Sequence, residues 1–250
     1  MTPRAADRER RLLHTIIRLV ENVTSTQDHE TRLQVLVDES VALFDADAAG
    51  LMLFEPSQRL QIAASAGHHS GLLELLQLET GEGPCLESAH TGTVVSVPDI
   101  ASAAGRWPHF CRAAVDAGYA AVHSMPLRLR TTAIGSLNLF RRTAQPFDLA
   151  NAAAAHALAD IAAITITQQR ALDTAVTTQA QLQAALESRK VIEQAKGWVA
   201  SRNLLDTDTA FTLLRDHARR NQLPLTEVAL AVLAGRITLG TPTTGDTRQP

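Results

Sequence analysis

A long helical segment that starts near Phe147 constrains the fold more than any other feature of the chain. It runs through the alanine-rich stretch LANAAAAHALADIAAITI and past residue 168 into polar, glutamine-rich sequence. The residues before it show both strand and helix patterns, whereas those after it show only helix patterns. The predicted organisation is an N-terminal helix (1–27), a mixed domain (28–168), a helical connector (169–187), a compact three-helix unit (188–236) and a disordered tail (237–250).

The part of the chain before Phe147 predicts an antiparallel sheet covered by helices, which is an α+β fold. Two amphipathic helices come first, one over residues 5–23 and one that begins after an N-cap at Asp28. The later elements are strands over 48–55 and 59–67, a short helix around 72–78, a loop TGEGPC, a strand over 93–99, a helix over 105–118, and a strand pair over 120–130 and 133–142 that turns at Thr131-Thr132.

The connector carries a weak heptad spacing. The seam positions, three and four residues apart, are Leu172, Ala175, Gln179, Leu182, Leu186 and Arg189. This spacing is typical of a solvated connector helix and equally of a short dimeric coiled coil, in which a buried glutamine lowers stability but helps to fix the register. Both interpretations stay open at this point.

The stretch SRKVIEQAKGWVASRN, residues 188–203, combines a helical core face with a basic line. The core face consists of Val191, Ile192, Ala195 and Val199, with Trp198 at its edge. Arg189 and Lys196 nearly superimpose outside that face, and Lys190 lies on the exposed side away from them. Gly197 costs an exposed helix about 1 kcal/mol relative to alanine. Its presence therefore indicates that another backbone, from a helix or a nucleic acid, approaches closely.

A second helix, capped by Asp206, repeats this arrangement. Its apolar arc contains Ala210, Phe211, Leu214 and Ala218. Arg215 and Arg219 flank the arc one turn apart, whereas Arg220 points away from it, and a third short helix spans residues 225–235. Basic residues beside two adjacent apolar stripes predict either an ordinary solvated surface or one basic patch. Composition alone favours the solvated surface.

The run SRKVIEQAKGWVASR and the later run DTDTAFTLLRDHARRNQLPLTEVA together resemble an ANTAR domain, over about residues 180–236. The matching residues are Arg189, Ile192 to Gly197, Ala210-Phe211, Leu214-Arg215 and Val228-Ala229. The sequence departs from the family pattern at Trp198-Val199-Ala200, where we expect core packing to change more than function. The resemblance implies a three-helix bundle that binds RNA stem-loops and prevents a transcription terminator from forming.

The resemblance also implies which residues bind RNA: Arg189, Lys190, Lys196, Gly197, Ala210, Arg215, Arg219 and Arg220. The basic side chains would neutralise backbone phosphates, so that binding weakens with salt. Ala210 is expected to permit close approach because it is small. Phe211 is expected to be a core residue rather than a platform for base stacking, because it lies within the apolar arc.

The residues before the connector resemble a GAF domain, over roughly residues 28–168. The resembling stretches are GEGPCLESAHTGTVVSVPD, RWPHFCRAAVDAGYAAVHSMPLRLRTTAIGSLNLFR and ALADIAAI. The resemblance implies a sensor or dimerisation module, whose small-molecule ligand the sequence does not identify. The Asn-Lys-x-Asp signature of members that bind cyclic nucleotides is absent.

Several side chains of this domain have both a functional and a structural interpretation. Cys85, in the loop with Gly81, Gly83 and Pro84, is favoured as a small buried hydrophobe over a redox sensor. Trp107, between Arg106 and Pro108, is favoured as an anchor for the following helix over a cover for a ligand. His68, His69, His109 and His123 have no spacing typical of a metal or haem site.

Charge, cysteine usage and missing motifs narrow the class of function. The net charge of −3 excludes nucleic-acid binding by bulk charge, and two cysteines outside any spaced motif favour a reducing compartment. A charged N-terminus and the lack of an apolar run near the ~20 residues of a membrane span predict a cytoplasmic protein without membrane association.

No catalytic, cofactor or metal motif is recognisable, so the sequence predicts a regulator rather than an enzyme. The leading expectation is a homodimeric regulator that binds RNA stem-loops. The alternative is a protein-interaction and dimerisation module that does not bind RNA, and an enzyme acting on a small molecule in the GAF pocket has little support.

Overall fold

The computed structural model describes residues 10–18 and 29–240. The chain divides into two compact units, Met1–Ala171 and Leu172–Pro250. The division falls within one helix, Leu149–Asn203, which contains 55 residues. The predicted long helix is therefore confirmed, and it contributes residues to both units.

The first unit is an antiparallel five-stranded sheet with helices on both faces. Its elements are α1 (helical residues 10–18), α2 (His29–Phe44), β1 (Ala48–Phe54), β2 (Leu60–Ala66), α3 (Ser70–Thr80), α4 (Pro84–Thr91), β3 (Val95–Val97), a 3₁₀ turn (Ala101–Ala103), α5 (Pro108–Asp116), β4 (Ala121–Leu129), β5 (Thr132–Arg141) and the first part of α6 (Leu149–Asn203). The strand order is β2-β1-β5-β4-β3. The predicted α+β class is confirmed.

Strand alternation separates two cores. On one face, Leu51 and Leu137 pack with apolar residues of α2 and the start of α6. On the other face, Met52 and Phe140 pack with residues of α3, α4 and α5. Because both faces are covered, β1 is buried along almost its whole length.

Several boundaries differ from the sequence expectation. Helix α4 was not predicted; the expected loop ends at Gly83 because Pro84 suits the first turn of a helix. The strand predicted over 93–99 is reduced to Val95–Val97. The turn between β4 and β5 lies one residue earlier than expected, since Leu129 pairs with Thr132 and Arg130 takes a φ of 57°. The predicted cap at Asp28 lies outside the described residues.

Helix α6 contains an unusually apolar stretch. An 18-residue window of this helix has a mean hydropathy of 1.5, so by length and composition it could cross a membrane. The sequence expectation that no apolar run approaches membrane length was therefore too simple. In the structure, Ala155, Leu158 and Ala162 of this helix are buried against the sheet.

The second unit contains the last part of α6, then α7 (Thr207–Asn221) and α8 (Leu225–Leu233). Its core includes Ala195, Val199, Leu214, Val228 and Val232, so the predicted all-α bundle is confirmed. The predicted cap at Asp206 is also present, because its carboxylate accepts hydrogen bonds from the amides of Asp208 and Thr209 at 3.0 and 2.8 Å.

The end of the bundle corrects one expectation. The disordered tail was predicted to begin at residue 237, but Ile237 packs against the core and Leu239 is buried in it. Apolar packing therefore continues to residue 239, and residues 241–250 lie outside the described part. The other predicted domain boundaries stay predictions.

Candidate functional sites

The basic side chains predicted to bind RNA all lie in the second unit. Arg189, Lys190, Arg215, Arg219 and Arg220 are exposed. A contact between the two hydroxyls of Ser188 and Thr226, 2.6 Å apart, fixes the start of this part of α6 against α8. The exposed charges therefore belong to a folded helical surface and not to a free chain.

Lys196 differs from the other five because its side chain is only 21% exposed. Its neighbour Ala195 and Ala200, one turn later, are both buried, so Lys196 lies at the edge of the core. Its ammonium forms an ion pair with Glu193, with Nζ 2.6 Å from Oε2. The charge is thus held at a defined position, and an incoming anion would compete with Glu193 for it.

Gly197 faces open space. A Cβ placed on it would meet no heavy atom within 4 Å. The packing of this chain therefore does not require glycine here. The observation agrees with the sequence interpretation that the position leaves room for another molecule.

Two expectations for α7 were wrong. Ala210 is completely buried in the core of the bundle, so its side chain cannot contact RNA; its small size instead suits close packing between helices. Phe211 was expected in the core, yet it is only half-buried and does not pack against the core cluster. Its ring shares one flank of the helix with Arg215 and Arg219, at intervals of four residues.

The three residues that depart from the family pattern, Trp198-Val199-Ala200, all take part in core packing. Val199 and Ala200 are buried and Trp198 packs against the core. The guanidinium of Arg202 lies 5.0 Å from the centre of the Trp198 ring, a cation–π contact that the sequence reasoning missed. The i, i+4 spacing of Trp198 and Arg202 was the available signal.

The first unit contains a buried polar cluster that the sequence reasoning also missed. We define it as Glu74 and Gln77 from α3, Cys85 and Ser88 from α4, Ser124 from β4, and Ser136 and Asn138 from β5. Every member is completely buried. The cluster lies between the sheet and the helices α3 and α4, on the face of the second core.

Glu74 is the only carboxylate in the cluster. Asn138 donates to its Oε1 at 2.9 Å. Burial raises the pKa of Glu74 to about 8, although the Asn138 hydrogen bond works in the opposite direction. A Cβ at Gly50 would overlap this carboxylate, so glycine at that position makes room for it.

The two thiols are buried and free. Burial, together with the nearby Glu74 carboxylate, raises the pKa of Cys85 to about 12, and burial raises that of Cys111. A thiol with such a pKa is not a nucleophile near neutral pH, which supports the interpretation of Cys85 as a packing residue. In the described part of the chain, no group of three or more potential ligands could hold a metal ion.

Other polar groups of the first unit have structural roles. Trp107 is 5% exposed and belongs to the second core, which confirms that it anchors α5. The carboxylate of Glu82 accepts hydrogen bonds from the amides of His109 and Phe110 at 2.6 and 3.2 Å, and thereby caps the same helix. His123 is buried and stacks on Phe147, with ring centres 5.0 Å apart.

The family models match both units. The GAF domain model matches residues 28–166, and the ANTAR domain model matches residues 180–233. The GAF match covers more than half of the chain. An ANTAR domain implies an RNA-binding antitermination regulator, and a GAF domain implies a sensor or dimerisation module. Neither is a catalytic family. No curated protein matches the sequence.

Solved structures confirm the fold of the first unit. The GAF domain of a phosphoenolpyruvate-protein phosphotransferase from Coxiella burnetii is 20% identical, with a TM-score of 0.53 over 65% of this chain and 96% of that one. The corresponding domain from Acinetobacter is 18% identical, with a TM-score of 0.50 over 65% and 97%. A free methionine-R-sulfoxide reductase from Neisseria meningitidis, solved with its substrate, is 18% identical, with a TM-score of 0.53 over 69% and 95%.

Proposed function

We propose that this chain, which belongs to the GAF domain family and carries an ANTAR domain after it, is a signal-responsive regulator that binds stem-loop RNA and prevents transcription termination. The observation that carries the proposal is the exposed basic surface of the ANTAR bundle, together with the open position at Gly197. Phosphates of an RNA backbone require cations on an accessible surface, and a close-approaching backbone requires a position without a side chain.

The bundle presents its basic residues from two helices that share one core. The short link from Asn203 to Thr207 joins α6 to α7. Lys196, Arg215 and Arg219 each follow directly after a buried residue of the shared core, so these three cations lie at its edge. We propose Arg189, Lys196, Arg215 and Arg219 as the main phosphate contacts, with Lys190 and Arg220 at the margin.

The RNA test uses the full chain and a synthetic RNA of two short hairpins with unpaired loops. Fluorescence anisotropy at several salt concentrations gives the affinity and its salt dependence. We expect the double variant Lys196→Ala/Arg215→Ala to bind at least tenfold more weakly, with a shallower salt dependence, because each lost phosphate contact reduces the slope by about 1. Arg236→Ala, an exposed arginine after α8, is the matched control and should bind like the wild type.

If the wild type ignores the hairpin RNA at low salt, or if the double variant binds it unchanged, the RNA-binding function is wrong. The protein-interaction module then becomes the better description of the bundle. A DNA hairpin of the same sequence distinguishes RNA recognition from general attraction to phosphate.

We propose a homodimer in which the connector forms a parallel two-stranded coiled coil. Residues 171–187 are all exposed, including Leu172, Leu182 and Leu186 at 48, 62 and 64%. A lone helix segment of this length has little stability in water unless an apolar face is covered. These three leucines lie on the predicted heptad seam, and a second copy would cover them.

The connector would have two arrangements, of which one allows RNA binding. Ligand binding to the GAF domain would shift the equilibrium between them, which requires the ligand to bind the RNA-competent state more tightly. The two buried, unpaired thiols agree with a reducing compartment, and we propose the cytoplasm.

A further inference from the structure

Helix α3 buries three polar side chains, while two of its five leucines are exposed. Ser70, Glu74 and Gln77 are completely buried, whereas Leu72 and Leu75 are 62 and 44% exposed. Burying each of these leucines would be favourable by about 1.5–3 kcal/mol, and burying a carboxyl group is costly. This orientation therefore lowers the stability of the fold, which indicates that the inward polar groups are there for another reason.

The sheet presents matching polar groups to α3. Strand register places Gly50, Asn138 and Ser124 in one row across β1, β5 and β4, and Ser136 lies two residues before Asn138 on the same face. Among the described residues, three buried atoms of this region have no hydrogen-bond partner: Glu74 Oε2, Asn138 Oδ1 and Ser136 Oγ. Unpaired buried polar atoms are rare and costly.

The chemistry of these atoms selects the ligand. In its ionised form Glu74 has only acceptor oxygens, and the amide oxygen of Asn138 also only accepts, so a ligand that satisfies both must donate. Glu74 has no ion pair to a basic side chain within the described residues. A donor that also carries positive charge would supply the missing counter-ion.

We propose that the buried polar cluster binds a small organic cation with N–H donors, of the ammonium or amidinium class, with Glu74 as its counter-ion and Asn138 as a second acceptor. The proposal rests on the sensor role proposed above and names the chemical class of its ligand. The cation would replace the Asn138–Glu74 hydrogen bond with bonds of its own to both oxygens.

Helix α3 is the wall that can move to admit such a ligand. It begins after His69 and ends before Gly81, and both residues have left-handed φ values, of 64° and 70°. Its apolar attachment to the second core consists of Leu73, which is buried there, and Leu78, which packs against it. The rest of the inward face is polar, and the Cys85 amide donates a hydrogen bond to Gln77 Oε1 at 3.0 Å. Polar contacts can be exchanged for ligand contacts without exposing much apolar surface.

Binding of a cation is linked to a proton. Because burial raises the pKa of Glu74 to about 8, the free protein holds a proton on this carboxyl group at pH 7. Cation binding requires the carboxylate, so it releases that proton. Affinity should therefore rise about tenfold for each pH unit well below pH 8 and level off above it. The titratable group that faces Glu74 is Cys85 on α4, which stays a thiol in this range; the facing residues of β1, β4 and β5 are Gly50, Ser124, Ser136 and Asn138.

The experiment is calorimetric titration of the full chain in phosphate buffer at pH 6, 7 and 8. The probes are methylammonium, propylammonium and acetamidinium chlorides. Tetramethylammonium, a cation without N–H donors, and propionate, an anion, are the controls. We expect at least one probe to bind, about tenfold more tightly at pH 7 than at pH 6 and about fivefold more tightly at pH 8 than at pH 7. The same probe should bind at least tenfold more weakly to Glu74→Gln. Trp107 fluorescence shows whether the variant is folded.

Absence of binding by all three probes at pH 8 would overturn the proposal. Equal binding of tetramethylammonium, or unchanged binding by Glu74→Gln, would also overturn it. The hairpin RNA titration separates this outcome from failure of the regulator itself: a chain that binds RNA but none of the cations keeps its proposed function and loses only this ligand class.

Discussion

Replacing Glu74 by glutamine should change how the stability of the first unit depends on pH. In the folded protein, burial raises the pKa of Glu74 from its ordinary value of 4.5 to about 8. The folded state therefore binds a proton that the unfolded state has lost between these values. The stability linked to this group is complete below pH 4.5, falls as the pH rises towards 8, and is constant above that.

The size of the effect follows from the same two values. At about 1.4 kcal/mol for each pH unit, the fall between the ordinary pKa and about 8 amounts to about 5 kcal/mol. His123 acts with the opposite sign, because burial lowers its pKa from 6.5 to about 4, so its stabilisation is lost as the pH falls below 6.5. The two effects oppose each other at acid pH. Between pH 6.5 and 8 only Glu74 contributes, and the free energy of unfolding should fall by about 2 kcal/mol over this interval.

The assay is urea unfolding followed by the fluorescence of Trp107, in a Trp198→Phe background so that the signal comes from the first unit. With an m-value of about 2 kcal/mol/M, the midpoint of the parent chain should fall by about 1 M between pH 6.5 and 8. Glu74→Gln should show almost no fall, because its amide does not titrate. It should also keep the pair with Asn138, since its amide, like a protonated carboxyl group, can both donate and accept. An equal fall in both proteins would refute a neutral, buried Glu74.

Three further predictions concern the helical part of the chain. Gly197→Ala should raise the unfolding free energy by about 1 kcal/mol, because the added methyl group meets open space, and should weaken hairpin RNA binding in the anisotropy assay; unweakened binding would show that no backbone approaches there. Leu204→Gly should stabilise the bundle by about 0.5–1 kcal/mol in chemical denaturation, because Leu204 has a φ of 56° and is 93% exposed; its RNA binding should not change. The double variant Leu182→Glu/Leu186→Glu should convert a dimer to a monomer in analytical ultracentrifugation. Thr178→Glu, which lies off the heptad seam, should leave the dimer intact, and equal dissociation of both variants would argue against the proposed seam.

The sequence predicts the second unit well because its signals are local. The core face of the basic helix depends only on the helical period, so Ala195 and Val199 are buried where the pattern places them. The cap at Asp206 is likewise set by its immediate neighbours. Phe211 was wrongly expected in the core. The helical period determines which way a side chain points, but not how far the neighbouring helices extend, and the core residues around α7 do not reach this ring.

The orientation of α3 could not be predicted in this way. The five leucines among its eleven residues spread over more than half of the helix circumference, so the helical period does not select one narrow buried face. The buried face is selected by the residues opposite the helix. Ser124, Ser136 and Asn138 belong to strands that come later in the chain, and Asn138 is 64 residues after Glu74. A hydrophobic pattern is evaluated along one segment, whereas the partners of Glu74 become neighbours only when β4 and β5 complete the sheet.

Three positions in this protein break a local rule at a cost in stability: a glycine inside a helix at Gly197, a buried carboxyl group at Glu74, and a leucine with positive φ at Leu204. Proteins usually keep such exceptions where function needs them. The substitutions proposed above separate the three cases, because each restores the rule and should stabilise the fold. Only the changes at Gly197 and Glu74 should also weaken binding, of RNA and of a cation respectively. Leu204 shares the cost but contacts neither proposed site, so a gain in stability there with unchanged binding would mark it as a purely structural exception.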